Sequence, residues 1–311
     1  MDKLRIILVL NILLFAGMFA SGSVPIERIG LDANWFAQFD CGLFLKSVSG
    51  EAIKKHLTEL DVEKRLEDFA IYFGFNPLED VQNVMLYGQG NDRDKAVLLI
   101  EGKFNKERLL ALVGMNAEFK EIVYDDITIQ QWRETDKNVQ QSAEGRMIYG
   151  CFFRDDLIML CSGLSCLKDA IDVMKGTRKS TSEEIFKDSL LLDSNVFLHI
   201  AAKDIAQLLG DEPNAAVLKQ TEQIIIGVGQ DSENIFACVK LKAKSQETAR
   251  NISKLVDGII ALLSLAGDEQ PELAKIGQMI KLTTDYDKVE IRLELEPALV
   301  QQIIENNTGK I

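Results

Sequence analysis

The sequence predicts an α+β fold of tandem pseudo-duplicated strand–helix–hairpin–helix–hairpin units, an antiparallel sheet with helices mainly on one face. Three observations predict it. Residues 84–113 read as two apolar runs, VMLYGQG and AVLLIEGKF, around the polar break Asn91-Asp92-Arg93-Asp94, followed by NKERLLALV. Apolar runs around an Asn/Asp break make a hairpin, and apolar positions at helical spacing after it make a helix. The same order returns from Ile224: IIIGVGQ, the break Asp231-Ser232-Glu233-Asn234, IFACVKLKA, then SQETARNISKLV. A hairpin feeding a helix cannot bury its apolar face alone, so each unit needs its helix and a partner.

The elements follow in order. Lys3 and Arg5 precede an apolar run from Ile6 to Ala20, broken once by Asn11, and small residues follow. That is the layout of a secretory signal peptide over residues 1–22, with cleavage after Gly22 (Ala20 at −3) or Ser23 (Ser21 at −3). An uncleaved anchor is the rival, but a bilayer span takes about 20 apolar residues and this run is shorter. The mature chain contains no apolar segment long enough for a transmembrane helix. Trp35 and Phe36 sit in an amphipathic lead-in helix. Strand one is Cys41–Val48, and a helix with Ile53, Leu57 and Leu60 on one face follows. The phase resets at Asp61, a cap for a second helix lined by Val62, Leu66, Phe69, Ala70 and Phe73 and ended by Gly74. After the 84–113 unit, Glu118–Trp132 is a hairpin turning at Asp125-Asp126, and residues 134–145 are a polar loop. Met147–Cys161 is a further hairpin turning near Asp155-Asp156, and Leu164–Met174 is a helix. Gly176–Glu184 is the linker, separating a first α+β repeat, 23–179, from a second, 180–311.

The second repeat matches the first in order. DCGLFLK at 40–46 is matched by DSNVFLH at 193–199, residues 84–113 by 224–256, and the Asp125-Asp126 hairpin by Ile280–Leu295, turning at Asp285-Tyr286-Asp287. On that alignment the hairpin and helix of 147–174 are extra to the first repeat. The longest helix is Gln246–Leu265. Its stripe of Ala249, Ile252, Val256, Ile259 and Leu263, widened by Leu255, Ile260 and Leu262, reads as core-facing. Pro297–Glu305 is a short closing helix, with proline at the first helical position where its missing N–H does no harm.

Four stretches carry a resemblance. The D-x-x-(L/V)-F-L opening, GFNPLED at Gly74–Asp80, KAVLLIEGKF, and DAIDVMKG at Asp169–Gly176 resemble a family of exported bacterial proteins of unknown function. The resemblance covers most of the mature chain, and its motifs are structural. It implies a periplasmic or cell-surface location and supplies no active-site residues.

The chemistry is sparse. The net charge is −13, and removing residues 1–22, which carry a net +1, takes it to −14. Such a chain repels phosphate backbones and anionic lipid surfaces, which argues against a nucleic-acid partner. The five cysteines, Cys41, Cys151, Cys161, Cys166 and Cys238, are odd in number, and an exported setting permits oxidation. Cys151 and Cys161 flank a hairpin and are placed to face each other across it, with Cys161 and Cys166 the alternative pair. Cys41 and Cys238, in apolar strand contexts, read as buried thiols. The Asp-rich breaks read as turn chemistry rather than calcium sites, because none has the twelve-residue loop spacing. Ser165-Cys-Leu-Lys168 matches S-x-x-K without its companion motifs. Gly88-Gln-Gly90 and Gly227-Val-Gly229 read as turn glycines, since each leads into a strand rather than a helix. His56 reads as a solvated residue on a charged helix and His199 as a structural residue in a strand. His199 with Cys41 or Cys238 is the least unfavourable catalytic pair. Trp132 reads as half-buried on a hairpin.

No catalytic, cofactor-binding or metal-binding residue is nominated, and no cofactor. The sequence reads as an exported, non-enzymatic binding or scaffold module of the bacterial cell envelope, taking an unknown protein or a small apolar ligand. The alternative is an exported hydrolase or thiol-dependent enzyme.

Overall fold

The computed structural model describes residues 26–59, 62–134, 145–182, 186, 195–209, 218–231, 234–265 and 271–308. The signal-peptide segment, the Asp61 cap and the body of the 134–145 loop lie outside these residues. In chain order the elements are β1 (Trp35–Asp40), α1 (Cys41–Lys46), α2 (Val48–Glu59), α3 (Val62–Phe73), α4 (Pro77–Asp80), β2 (Val81–Gly88) and β3 (Ala96–Gly102). Then come α5 (Lys106–Gly114), β4 (Lys120–Tyr124), β5 (Ile127–Arg133), β6 (Met147–Arg154), β7 (Leu157–Cys161) and α6 (Leu164–Met174). The remainder is β8 (Val196–Lys203), α7 (Ile205–Leu209), β9 (Thr221–Gln230), β10 (Ile235–Ala243), α8 (Gln246–Leu265), α9 (Pro271–Met279), β11 (Ile280–Asp285), β12 (Lys288–Leu295) and α10 (Pro297–Thr308). The fold is α+β with antiparallel pairing, as the sequence predicts. Two compact units divide the chain. The first takes in residues up to Ala33, Gln38–Gly42 and Leu57–Ser182; the second takes in Asn34–Ala37, Leu43–His56 and Glu183 onward.

In the first unit the strands run in the order β2-β3-β7-β6-β5-β4. The register brings Met85, Leu99, Met159, Cys151 and Ile129 into one row, and all five are buried. Side chains alternate faces along a strand, so Tyr87, Val97 and Cys161 join the same buried face one row along. Helix α6 contacts β3, β6 and β7, and its buried residues Leu167, Ala170, Ile171 and Val173 supply the covering layer. The β4–β5 turn uses Asp125 at φ 44° and Asp126 at φ 67°. Two consecutive left-handed residues are the turn whose twist suits a two-residue hairpin, and Asp tolerates that backbone. Helix α5 is capped by Asn105, whose Oδ1 accepts the Arg108 N–H at 3.0 Å.

In the second unit the order is β11-β12-β10-β9-β8. Leu241, Ala243 and Val289 face Ala249 and Ile252 of α8, and Ile224, Val239, Val256, Leu282 and Ile291 pack around them. On the other face Lys240 stands opposite Glu290 and Cys238 opposite Arg292, while Phe236 and Cys238 are themselves buried.

Five expectations are corrected. Cys41–Val48 is not a strand. The strand is Trp35–Asp40, which also replaces the lead-in helix, and Cys41–Lys46 is helical. A short apolar run such as Leu43–Leu45 suits either state. Ser47 settles it: its N–H reaches the Phe44 carbonyl at 2.9 Å, and its hydroxyl accepts the Gly50 N–H at 3.1 Å, starting a second helix at once. The match of 40–46 to 193–199 therefore pairs a helix with residues that, from Val196 on, are strand.

The inserted hairpin is also reassigned. β12 lies beside β10 as β7 lies beside β3. By position in the sheet, β6–β7 with α6 corresponds to β11–β12 with α10, and β4–β5 is the addition at the edge. Gly176–Glu184, finally, is no free linker over its described part. Ser180 bridges Gly30, the Thr181 N–H donates to the Ile29 carbonyl at 2.8 Å, and Arg178 pairs with Asp32 and Asp169.

Candidate functional site

The polar candidates resolve into structural roles. His199 stands on β8 opposite Gly227, which stands opposite Cys238 on β10. The three share one row, so His199 and Cys238 lie two strands, about 10 Å, apart at the usual strand spacing. The His199 Nε2 lies 3.2 Å from the Val196 carbonyl oxygen, and the Cys238 thiol donates to Glu290 Oε1 at 3.7 Å. Burial, then the Glu290 charge, raises the Cys238 pKa, which disfavours a nucleophilic thiolate. Cys41, buried at the start of α1, donates to the Phe39 carbonyl. His56 lies on α2.

Ser165 and Lys168 share α6, but Lys168 lies over the Tyr124 ring at 4.8 Å while Ser165 faces solvent. The Asp-rich breaks work as turns and ion pairs. Asp92 Oδ1 accepts the Asp94 N–H at 3.0 Å, and Asp231 Oδ1 accepts the Asn234 N–H at 2.7 Å. Lys175 pairs with Asp125 and Asp126, and Arg154 with Asp156 at 2.9 Å. The glycine pairs part company. Gly90, at φ 60°, is a turn residue. Gly227 and Gly229 instead sit inside β9, a correction to their reading as turn glycines. A Cβ on Gly229 would stand 2.4 Å from the Asn195 carbonyl oxygen, so close backbone approach is what demands glycine there.

All five cysteines are free thiols. The register sets Cys151 opposite Met159 and Cys161 opposite Tyr149, so the pairing of Cys151 with Cys161 is not made. Cys161 instead donates to the Asp94 carbonyl at 3.6 Å and accepts the Gly163 N–H at 3.4 Å. Burial pushes the Cys151 thiol from an ordinary 9.0 up to about 12. Burial also raises the Tyr87 phenol, helped by the charges of Cys166, Cys161 and Asp169. A group with a raised folded pKa contributes stability that is complete below its unfolded value and lost as pH rises through the folded one. The urea midpoint of the first unit is therefore steady up to about pH 9 and falls toward pH 12, less steeply in Cys151→Ala. Identical alkaline profiles for the two proteins would overturn that assignment.

What remains is an apolar surface. On α8 the core-facing stripe reads as Ala249, Ile252, Val256, Ile260 and Leu263, all buried or half-buried. Leu255, Ile259, Leu262 and Leu265 occupy the adjoining sector and are 51%, 55%, 69% and 79% exposed. The expected single stripe is thus two: Ile259, Leu255 and Leu262 do not face the core. Helix α9 packs on the same helix, with Gly277 admitting Leu263 and the Ile260 carbonyl, and leaves that outer sector open. The signal was present in the sequence, since apolar residues cover more of α8 than one contact face can use. Trp132 is half-buried as read, lying across Gly150 beside Leu160.

Two concavities lie in the first unit. One, of about 560 Å³, is lined by Asp80, Lys103, Asn105, Lys106 and Glu107 among others. The other, of about 860 Å³, carries Glu27, Arg28, Lys175, Arg178 and Lys179 on its walls. Three of those cations are committed: Arg28 to Glu101 at 2.7 Å, Lys175 to Asp125 and Asp126, and Arg178 to Asp32 and Asp169. Leu31, Val173 and Met174 line the larger concavity as well, and Phe104 the smaller, so both have mixed walls. No helix among the described residues is long and apolar enough to cross a membrane.

The fold and surface thus define an α+β antiparallel-sheet protein of two hairpin–helix units, one of which displays an uncovered apolar helix face. No protein-family model and no curated protein matches the chain. Among solved structures, TP0453 in crystal form III aligns with a TM-score of 0.48 at 9% identity, over 92% of this chain and 100% of that one. Crystal form I of TP0453 gives 0.48 at 8% identity, over 93% and 99%. Neither likeness identifies a ligand or a role.

Proposed function

We propose that the chain is an exported, non-enzymatic binding module of the bacterial cell envelope, holding a protein partner along the outer face of α8. The observation that carries this is the exposure of Leu255, Ile259, Leu262 and Leu265 on a helix already anchored by its other face. Each such side chain gains about 1.5–3 kcal/mol when buried, so the row is a standing incentive for association. Their spacing is that of the anchors an amphipathic helix presents to an apolar groove. A protein is favoured over a small apolar ligand because the row lies along the exposed outer face of a helix rather than inside a cleft. Export rests on the basic, apolar and small-residue order of residues 1–23. The non-enzymatic reading is supported by the raised pKa of Cys238 and the structural engagement of His199 and Lys168.

A photo-cross-linking residue at Ile259, in the exporting bacterium, tests this. We expect a discrete protein adduct that Leu262→Asp weakens at least about tenfold, the scale of an interface anchor. The same cross-linker at Val123, more open to solvent on β4, gives none. No adduct at Ile259, or one that Leu262→Asp leaves untouched, overturns the reading.

A further inference from the structure

We infer that the outer face of α8 docks a second copy of this chain, with the two α8 helices antiparallel. The inference rests on the docking face proposed above and names its partner. Leu255, Gly258, Leu262 and Leu265 follow one another at intervals of three, four and three residues. That alternation is the seam along which one helix packs on another. The three leucines are exposed, and a Cβ on Gly258 would meet nothing within 4 Å. The residues that α8 turns toward its own core, Ala249, Ile252, Val256, Ile260 and Leu263, are a separate stripe. Folding therefore uses one apolar stripe of α8 and leaves the seam.

The seam fits itself. A two-fold contact brings the same patch from both copies together, so the patch must be its own complement. With the axis level with Ile260, Leu262 of each copy falls on Gly258 of the other, and Leu255 meets Leu265. Knob and notch are thus each used twice, and the missing side chain at Gly258 lets the two backbones approach. The charge pattern selects the direction. Glu247, Arg250, Lys254 and Asp257 carry all the charge of α8, and Gly258–Leu265 carries none. Antiparallel pairing sets the uncharged halves against each other and the charged halves at opposite ends. A parallel pair would set Lys254 beside Lys254, a like-charge contact that costs affinity.

Size sets the strength. Helix α8 has 20 residues and is about 30 Å long. Four large aliphatic side chains on each copy, Leu255, Ile259, Leu262 and Leu265, bring the seam to about 1,000 Å² of buried surface, the threshold of a specific interface. The dimer is therefore reversible, with a dissociation constant in the micromolar range, and the chain is monomeric when dilute.

Sedimentation velocity over a concentration series, on the chain purified from the exporting bacterium, tests this. The expected result is a monomer that passes to a dimer, and no further, as concentration rises through the micromolar range. Gly258→Leu is expected to weaken the dimer at least about tenfold, the scale of an interface anchor. The sign is diagnostic: an apolar ridge that merely sticks would gain from an added leucine, whereas a filled notch loses. Open space at Gly258 lets the variant fold, and a dilute urea midpoint no lower than that of the wild type confirms it. A chain that stays monomeric, or a dimer that Gly258→Leu leaves as tight or tightens, overturns the inference. So does a monomer that floats with phosphatidylcholine vesicles. The wild-type series needs no variant. The cross-linker at Ile259 separates the two readings: adducts only at another protein's mass, with the purified chain monomeric, overturn self-docking and leave the docking face standing. No adduct of any kind overturns both.

Discussion

Leu167→Ala lowers the stability of the first unit by about 2–5 kcal/mol, a large share of the 5–15 kcal/mol that holds a typical domain together. Leu167 is fully buried and sits where α6 meets the sheet. Its neighbours in that layer, Ile171 on the helix and Leu99 and Met159 on the strands, are at most 2% exposed. Truncation therefore loses the transfer free energy of three carbons and leaves a void that close-packed walls fill only partly. Trp132 belongs to the same unit, so its fluorescence in a Trp35→Phe background reports the transition during urea unfolding. A shift below about 1 kcal/mol, the scale of removing one methyl group, would mean that α6 is not the principal cover of this sheet.

Gly50→Ala destabilises the second unit, although alanine is the better helix former by about 1 kcal/mol. Gly50 lies inside α2, yet a Cβ there would stand 2.1 Å from the Phe44 carbonyl oxygen and 2.6 Å from the Leu45 Cα. Both obstacles are backbone, which cannot swing aside as a side chain can. Relief requires the α1–α2 junction to open, breaking the Ser47 cap and moving Phe44 off Phe197, where their rings meet edge-on at 5.3 Å. Gly258→Ala is the matched control. It lies on the exposed side of α8 with nothing within 4 Å of its Cβ position, so it keeps the propensity gain and stabilises by up to about 1 kcal/mol. Urea midpoints read from Trp35 in a Trp132→Phe background compare the two, since Trp35 belongs to the second unit. Shifts of the same sign would refute the close approach at Gly50.

The same contrast separates the local from the tertiary in this chain. The antiparallel hairpins, the bounds of Leu164–Met174 and Gln246–Leu265, and the recurrence of the 84–113 hairpin–helix at 224–256 were legible in the sequence, because periodicity and turn residues act over neighbouring positions. The state of Cys41–Lys46 was not. Six residues with a short apolar run suit helix or strand alike, and the Ser47 cap with the Gly50 contact decides between them. Strand order was not legible either. Nothing in β4–β5 or β6–β7 alone says which hairpin lies against β3, since that choice is made by the face each presents to α6.

Of the candidate surface, the sequence by itself determined that α8 is apolar over too wide an arc. Only the tertiary structure decided that Leu255, Ile259, Leu262 and Leu265 are the part left in water, and that Cys161 stands opposite Tyr149 rather than Cys151. The reason is physical. Composition and period fix how much apolar surface an element carries, but which portion is covered depends on the register and packing of strands and helices remote in sequence.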